Sequence, residues 1–228
     1  MLLLIPNNNM NKSSKKPRPK GPERQGKLYE IAASQEGYFT PKQAEACGYS
    51  KYNHPYHVTK GAWVREGRGI YRLKLFPTDQ VRGQLVRYSL WSRGADDKPQ
   101  GVYSHETALS IYELSDLMPS KLHMTVPKKF RKWAETPKIL KLYHGDLDST
   151  DIETKRGFRV TKPLRTLLDL IEANGTSPEF IEQGLNEAIA RGLIRLKELK
   201  SQKIPEDVRK KFIKWIGPNK RRALENLG

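Results

Sequence analysis

Cysteine and long hydrophobic runs are nearly absent from this chain of 228 residues. Its single cysteine, Cys47, cannot form an internal disulfide or a cysteine-based metal site, so we expect a cytoplasmic protein in which Cys47 is a small buried side chain. The apolar opening, residues 1–6, is too short for the hydrophobic region of a signal peptide. No later run reaches the length of a transmembrane span, which argues against a membrane protein.

Negative charge is also scarce. The chain has 42 lysines and arginines against 25 aspartates and glutamates, which gives a formal net charge of +17 at pH 7. Such a field attracts polyanions, and because no segment is suited to a membrane, the composition favours a nucleic-acid partner.

The length allows two modest domains, each with a core of its own. Residues 1–25 are rich in proline, asparagine and basic residues, which predicts a disordered basic arm. This arm either follows DNA phosphates or the minor groove, or is only a solubilising tail. We expect a winged helix-turn-helix in residues 26–77, a linking helix in residues 78–100 and a second domain in residues 101–228.

Two helix starts follow each other in the first domain. Thr40 is predicted to cap a helix that begins at Pro41 and ends at Gly48. Ser50 is a candidate cap for a second helix, the recognition helix, which would end at Gly61.

Pro55 lies inside this recognition segment, where it would remove a helical hydrogen bond unless it belongs to the first turn. We therefore expect the helix to begin nearer Asn53 or His54. Residues 50–53 would then form an extended turn that approaches the phosphates.

A basic hairpin is predicted to complete the wing. Residues 63–65 are expected to pair with residues 70–73 across a glycine-containing turn at residues 66–69. Arg65 and Arg68 lie at or near its tip, where a hairpin has little structural need of arginine. We therefore assign both to contacts with DNA.

The recognition segment and the wing supply the candidate DNA contacts. They are Ser50, Lys51, Tyr52, Asn53, Tyr56, His57, Thr59, Lys60, Arg65 and Arg68. Asn53 could read adenine, and Lys51 or Lys60 guanine or a phosphate, because amide and ammonium groups match those edges. A solvated polar face is the alternative for the polar residues, and a place in the core is the alternative for the two tyrosines.

The pattern after residue 77 predicts an α+β domain. Helices are expected to begin at Thr78, Ser104, Pro163 and Pro178 and after Pro205. Short strands are expected at residues 122–126, 139–143 and 158–160. The first of these helices would bury Val81, Leu85, Tyr88 and Trp91, and the helix from Pro163 would bury a stripe of Leu164, Leu167, Leu168 and Ile171.

The N-terminal unit and three later segments resemble the AbiEi family of antitoxins. They are the N-terminal unit together with residues 103–109 (YSHETAL), the strand at residues 123–127, and residues 160–170 (VTKPLRTLLDL). The resemblance covers about residues 27–200, and its most specific part is the RTLLDL segment.

The resemblance implies the regulatory half of a bacterial type IV toxin–antitoxin or phage-defence system. The winged domain would bind inverted repeats in double-stranded DNA upstream of its own operon and repress it. The second domain would supply the antitoxin activity against a nucleotidyltransferase-like toxin, with or without direct contact. A stand-alone winged-helix regulator is the alternative.

Four residues of the second domain are candidates for antitoxin activity. His105 and Glu106 have a place in the family motif, although both also suit the first turn of a helix. Arg165 and Asp169 could border the surface that neutralises the toxin. A spacing of four is, however, usually that of an ion pair on a helix surface, and function is the lesser alternative.

An acidic stretch raises the alternative of a metal-dependent nuclease. Asp151, Glu153 and Lys155 resemble the acidic-x-Lys arrangement of such enzymes, with Asp146 and Asp148 upstream. The stretch is typical of a polar loop, and its carboxylates are too close in sequence to come from two strands. A nuclease is therefore the lesser alternative.

Histidine offers no metal site by its spacing. His105-Glu106 lacks the second histidine of a zincin helix, and the five histidines show no ligand-like pattern. We expect no metal, no cofactor and no catalytic residue.

Overall fold

The computed structural model of the protein describes residues 21–195 and 206–215. The helices are α1 Gly21–Ala33, α2 Pro41–Ala46, α3 His54–Thr59, α4 Gln80–Trp91, α5 His105–Ile111, α6 Pro163–Ala173, α7 Pro178–Ala190 and α8 Glu206–Trp215. The strands are β1 Tyr38–Phe39, β2 Trp63–Gly67, β3 Ile70–Leu73, β4 Val102–Tyr103, β5 Leu122–Val126, β6 Leu140–His144, β7 Ile152–Lys155 and β8 Phe158–Thr161. Together they make the predicted mixed α+β fold.

Helix α1 begins earlier than expected. Residues 21–25, predicted as the end of the basic arm, are helical. Pro22 suits a first turn because its missing amide would have no partner there, and Glu23 pairs with Lys27 one turn later at 2.7 Å. The rest of the predicted arm, residues 1–20, lies outside the described residues.

A capping box starts α2 where the sequence predicts it. The Thr40 hydroxyl accepts a hydrogen bond from the Gln43 amide at 3.2 Å, and the Gln43 side chain accepts one from the Thr40 amide at 2.9 Å. Pro41 occupies the first turn, and Gly48 follows the helix with a φ of +96°. Cys47 is buried, as predicted.

The recognition helix α3 begins at His54, and Pro55 falls in its first turn. The expected start near Asn53 or His54 is confirmed. Two details differ. The Ser50 hydroxyl makes no capping hydrogen bond, and residues 51–53 form a 3-10 turn instead of an extended one.

The wing is a longer hairpin than predicted. Strand β2 continues to Gly67, so the turn consists of Arg68 and Gly69 alone, and Gly69 has a φ of +66°. Arg65 lies opposite Tyr71, and the register shifts between Arg65 and Gly67, which is typical of a β-bulge. With β1 this hairpin makes an antiparallel sheet of order β1-β3-β2.

The second sheet has five strands in the order β6-β5-β4-β8-β7. The β4–β8 and β5–β6 pairs are parallel, and the β4–β5 and β7–β8 pairs are antiparallel. The predicted apolar stripe of α6 is confirmed, since all four of its members are buried. Helices α5 and α6 pack against each other beside this sheet.

Two expectations for α4 are wrong. Its cap is Asp79, whose carboxylate accepts from the Arg82 amide at 2.8 Å, while Thr78 donates its hydroxyl proton to the Glu36 carbonyl. Val81 is 72% exposed. The buried face consists of Gly83, Leu85, Val86, Ser89 and Leu90. This face is rotated from the predicted one because α4 packs against strands from both sheets.

A single buried cluster crosses the expected boundary between the domains. Its members from the N-terminal sheet, α4 and the second sheet include Tyr38, Ile70, Leu85, Val86, Leu90, Tyr103, Phe158 and Val160. A second cluster lies within the N-terminal unit and contains Leu28, Ala32, Phe39, Ala44, Cys47, Tyr49 and Trp63. Helix α4 therefore packs against both units and contributes to the core between them. The expected domain boundaries stay a prediction. Among residues 21–195 and 206–215, the helices lack the combined length and apolar character that crossing a bilayer requires.

Candidate nucleic-acid interface

The recognition helix and the turn before it present a basic and aromatic surface. The exposed members are Lys51, Tyr52, Asn53, Tyr56, Thr59 and Lys60. The Lys51 ammonium lies 5.2 Å from the centre of the Tyr52 ring, and the Lys60 ammonium lies 5.9 Å from the centre of the Tyr56 ring. Tyr52 is 80% exposed and Tyr56 58% exposed, which excludes the core alternative for both. Each pair offers a positive charge and a flat ring to the same partner.

His57 and Ser50 are less accessible than their neighbours. The His57 ring stacks on buried Trp63 at 4.6 Å and meets Tyr49 edge-on at 5.1 Å. Burial lowers the pKa of His57, so its ring is neutral at pH 7 and adds no positive charge. Ser50 is half-buried. The contacts of both residues with DNA stay a prediction.

His54 is a positioning residue that the sequence reasoning treated only as a possible helix start. It is 3% exposed, and its ring lies 5.4 Å from Trp63 and 5.9 Å from Tyr71. Burial lowers the pKa of His54. A neutral, packed ring at the first residue of α3 therefore fixes this helix against both strands of the wing.

The predicted wing arginines are both exposed. Arg65 lies on β2 and Arg68 in the turn. In the part of the chain that is described, neither guanidinium has an ion-pair partner. Two exposed cations on the wing, one on its strand and one in its turn, suit phosphate contact, since such contacts fix orientation on a duplex without reading sequence.

The wing tip is fastened to the segment that follows α4. The Arg93 guanidinium donates to the carbonyl oxygens of Gly69 at 2.8 Å and Leu90 at 2.7 Å, and it pairs with Asp97 at 3.0 Å. Asp97 also accepts a hydrogen bond from the hydroxyl of Thr40, the α2 cap. One arginine therefore holds the hairpin turn in a fixed position relative to α2. This role of Arg93 is not predictable from the sequence, because no local pattern pairs residue 93 with residue 69.

In the second domain, polar residues that are distant in sequence form a buried cluster. His105 is buried, with a φ of 51° at the start of α5, and its ring stacks on Tyr143 at 3.6 Å. Its Nδ1 lies 2.9 Å from the Ser104 hydroxyl, and Tyr143 also lies 5.7 Å, ring to ring, from His123. The β5–β6 register places Thr125 opposite Tyr143, and Thr125 donates to Ser104 at 2.8 Å. Ser104 is thus part of this cluster and makes no capping bond.

Burial controls the charge of this histidine cluster. It lowers the pKa of His105 to about 3, and the nearby His123 ring and the positive charges of Lys141 and Arg165 act in the same direction. Burial also lowers the pKa of His123, against the opposing effect of Glu106, whose carboxylate lies 3.6 Å from His123 Nε2. Glu106 accepts a second contact from the Thr176 hydroxyl at 2.8 Å. Both rings are therefore neutral at pH 7, and Glu106 bridges α5 to the strand and to the loop before α7.

Arg165 and Asp169 pair at 2.6 Å, but not on the helix surface as predicted. The Asp169 side chain is 6% exposed and that of Arg165 33% exposed. Burial raises the pKa of Asp169 to about 6, even though Arg165 opposes the rise. The surface prediction was wrong because residue 169 also lies on the side of α6 that faces the core.

The acidic stretch forms a strand and not the expected loop. Residues 152–155 are β7, at the edge of the five-stranded sheet. Glu153 pairs with Lys155 at 2.6 Å and accepts from the Tyr112 hydroxyl at 2.7 Å. Across the residues that the structure describes, no three histidine, cysteine or acidic side chains are arranged to hold a metal ion.

The N-terminal geometry defines the class of protein. Three helices, an exposed recognition helix and a basic two-stranded wing make a winged helix-turn-helix, a fold in which the second helix of the motif enters the major groove. Residues 27–74 match the family described as "Transcriptional regulator, AbiEi antitoxin". The match covers most of α1 together with α2, α3 and the wing, and the sequence resemblance to this family is confirmed for that part of the chain.

The whole chain also resembles a solved structure, that of the RV2827C protein from Mycobacterium tuberculosis. The TM-score is 0.51 at 12% sequence identity, over 91% of this chain and 82% of that chain. At this identity the likeness concerns the fold, which extends through both units. Among curated proteins the sequence finds no match.

Proposed function

We propose that the protein is the DNA-binding antitoxin of a two-gene toxin–antitoxin system and represses its own operon. The observation that carries this proposal is the exposed surface of α3 and the wing, which lies inside the family match. Lys51, Lys60, Arg65 and Arg68 supply charges for phosphates, and Asn53 supplies an amide for a base edge. Inverted repeats in double-stranded operator DNA are the expected target.

The second half of the proposal concerns the toxin. A nucleotidyltransferase-like enzyme encoded in the same operon is the proposed partner, and the C-terminal unit is the part that neutralises it, without catalysis by this chain. The buried contacts of His105, Glu106 and Asp169 support a role in holding this unit together. Arg165, one third exposed on α6, is the member of this set best placed to contact a partner.

The test uses point variants of the full chain, because a shared core joins the two units and truncation would expose it. The double variant Arg65→Ala/Arg68→Ala should lose affinity for operator DNA in a gel-shift titration. If each arginine contacts one phosphate, the log–log salt slope should fall by about 1.8 in magnitude. Lys210→Ala/Lys211→Ala is the matched control, since it removes two exposed positive charges from α8.

Coexpression with the toxin separates the two halves of the proposal. The wing variant should still rescue cells from the toxin while it fails to repress a reporter under the operon promoter. Unchanged operator binding by the wing variant contradicts the DNA assignment. Operator binding without any rescue by the wild-type chain indicates a stand-alone regulator instead.

A further inference from the structure

A groove separate from the recognition helix lies between the wing, α4 and the loop after β5. Its volume is about 700 Å³, which is large enough for one or two nucleotides. Residues 66–68 and Ile70 of the wing line it on one side. Arg87, Tyr88 and Trp91 of α4 and residues 131–134 of the loop line the rest. Three segments that are distant in sequence thus form its walls.

The charge of this groove is strongly positive. Arg68, Arg87, Arg131 and Lys132 line it, and the one acidic residue among its walls, Glu66, is neutralised by Arg72 at 2.9 Å. Arg93 also lines the groove, but its guanidinium forms an ion pair with Asp97. Within residues 21–195 and 206–215, these four cations form no ion pair with a carboxylate, and four such cations around a small space attract phosphate groups.

Aromatic rings occupy both the wall and the rim. Trp91 is half-buried, and the Lys132 ammonium lies 5.7 Å from its ring centre while it donates to the Arg93 carbonyl at 2.8 Å. Trp133, the next residue, is fully exposed at the rim. An indole left in water costs free energy, and the fold gains nothing from it, so this side chain is suited to a partner.

We infer that this groove binds single-stranded nucleic acid, with an unpaired base stacked on Trp133 and its phosphates held by Arg131 and Lys132. A flat ring flanked by cations is the arrangement that single-strand binding sites use, because every unpaired base offers a π-face and every nucleotide a phosphate. A duplex keeps its base faces stacked inside and would use only the cations. A carboxylate of a partner protein would also contact only the cations and would not use the rings of Trp91 and Trp133.

The test measures fluorescence anisotropy of labelled oligo(dT) and oligo(U) of about 10 nucleotides, with duplex oligo(dA)·oligo(dT) of the same length as a third probe. Wild-type protein should bind at least one single strand, and the other single strand shows whether the 2′-hydroxyl matters. Trp133→Ala should weaken single-strand binding about tenfold or more, and Trp133→Phe should restore most of it. Arg131→Ala should weaken binding and reduce its salt dependence.

Matched variants separate this site from general effects of charge and hydrophobicity. Met118→Ala removes another almost fully exposed large side chain, and Lys129→Ala removes an exposed cation from the same loop, so both should bind single strands like the wild type. Equal binding by Trp133→Ala and the wild type overturns the inference, as does equal loss on the duplex probe. Since Trp133 lies outside α3 and the wing, loss of operator binding by the Arg65/Arg68 variant alone leaves this inference intact.

Discussion

At the scale of single residues, the buried carboxylate of Asp169 is the clearest case of a charge whose effect on stability depends on its partner, Arg165. Its pKa of about 6 means that the carboxyl is ionised at pH 7.5 and protonated at pH 5 in the folded protein. Because this pKa is raised above the ordinary value, the folded state binds more protons than the unfolded state between about pH 4 and pH 6. The contribution of Asp169 to stability therefore grows as the pH falls through this window.

Arg165→Ala should accordingly destabilise the protein in a pH-dependent way. At pH 7.5 the variant leaves a buried carboxylate without its guanidinium, and we expect a loss of about 2 kcal/mol in the free energy of unfolding, reduced from the full cost of a buried pair because Arg165 is partly exposed. At pH 5 the loss should be much smaller. Urea denaturation at both pH values measures it, and Lys128→Ala, which opens the exposed pair with Asp146, is the control that should show no such dependence. An equal loss at both pH values would contradict the buried ion pair.

At the scale of elements, the wing depends on a contact that lies outside it. Arg93→Ala removes the donors to Gly69 and Leu90 and leaves Asp97 without its cation. We expect faster amide hydrogen exchange in residues 66–72 and a several-fold weaker affinity for operator DNA, because a wing free to move loses entropy when it binds. Arg82→Ala, which removes an exposed arginine from the preceding helix α4, should change neither quantity. Unaltered exchange in the hairpin of the Arg93 variant would show that the wing is held by its own strands.

The same scale shows which parts of the structure the sequence predicts and which it does not. The start of α2 and the stripe of α6 depend on neighbours three or four residues away, so Thr40, Pro41 and the leucine spacing are sufficient to predict them. The meeting of His105 with Tyr143 depends on the parallel pairing of β5 with β6, which no local pattern specifies. Strand β7 escaped prediction because an edge strand can carry polar residues on both faces. The exposure of Lys51, Tyr52, Tyr56 and Lys60 was predictable mainly because cations and tyrosines on so short a segment have few places in a core.

At the scale of the whole molecule, the two units interlock at the β7–β8 turn. Arg156 donates to the Ala33 carbonyl at the end of α1 at 2.9 Å and lies 3.5 Å from the Glu36 carboxylate. Gly157 follows with a φ of +83°, close to Val86 of α4 and to the backbone of Gln35. The turn of the second sheet is thus seated on the first unit, beside the shared core. The two units therefore meet through packed side chains and hydrogen bonds at this turn.

Gly157→Ala tests this interlocking. A Cβ there would lie 2.7 Å from Val86 Cγ2 and 3.1 Å from Gln35 Cα, in a conformation that is already unfavourable for alanine. We expect a loss of about 3 kcal/mol in the free energy of unfolding, since the clash adds to the cost of the positive φ. Gly192→Ala is the matched control: its φ is +68° and a Cβ meets nothing within 4 Å, so only the conformational cost of about 1 kcal/mol should remain. Hydrogen exchange at increasing urea should show α1 and α6 losing protection together in the wild type, because the buried cluster that contains α6 also includes Tyr38 and Ile70 of the sheet on which α1 packs. In the Gly157 variant both should open at a lower urea concentration, and opening of α6 alone would mean that the units are stable independently.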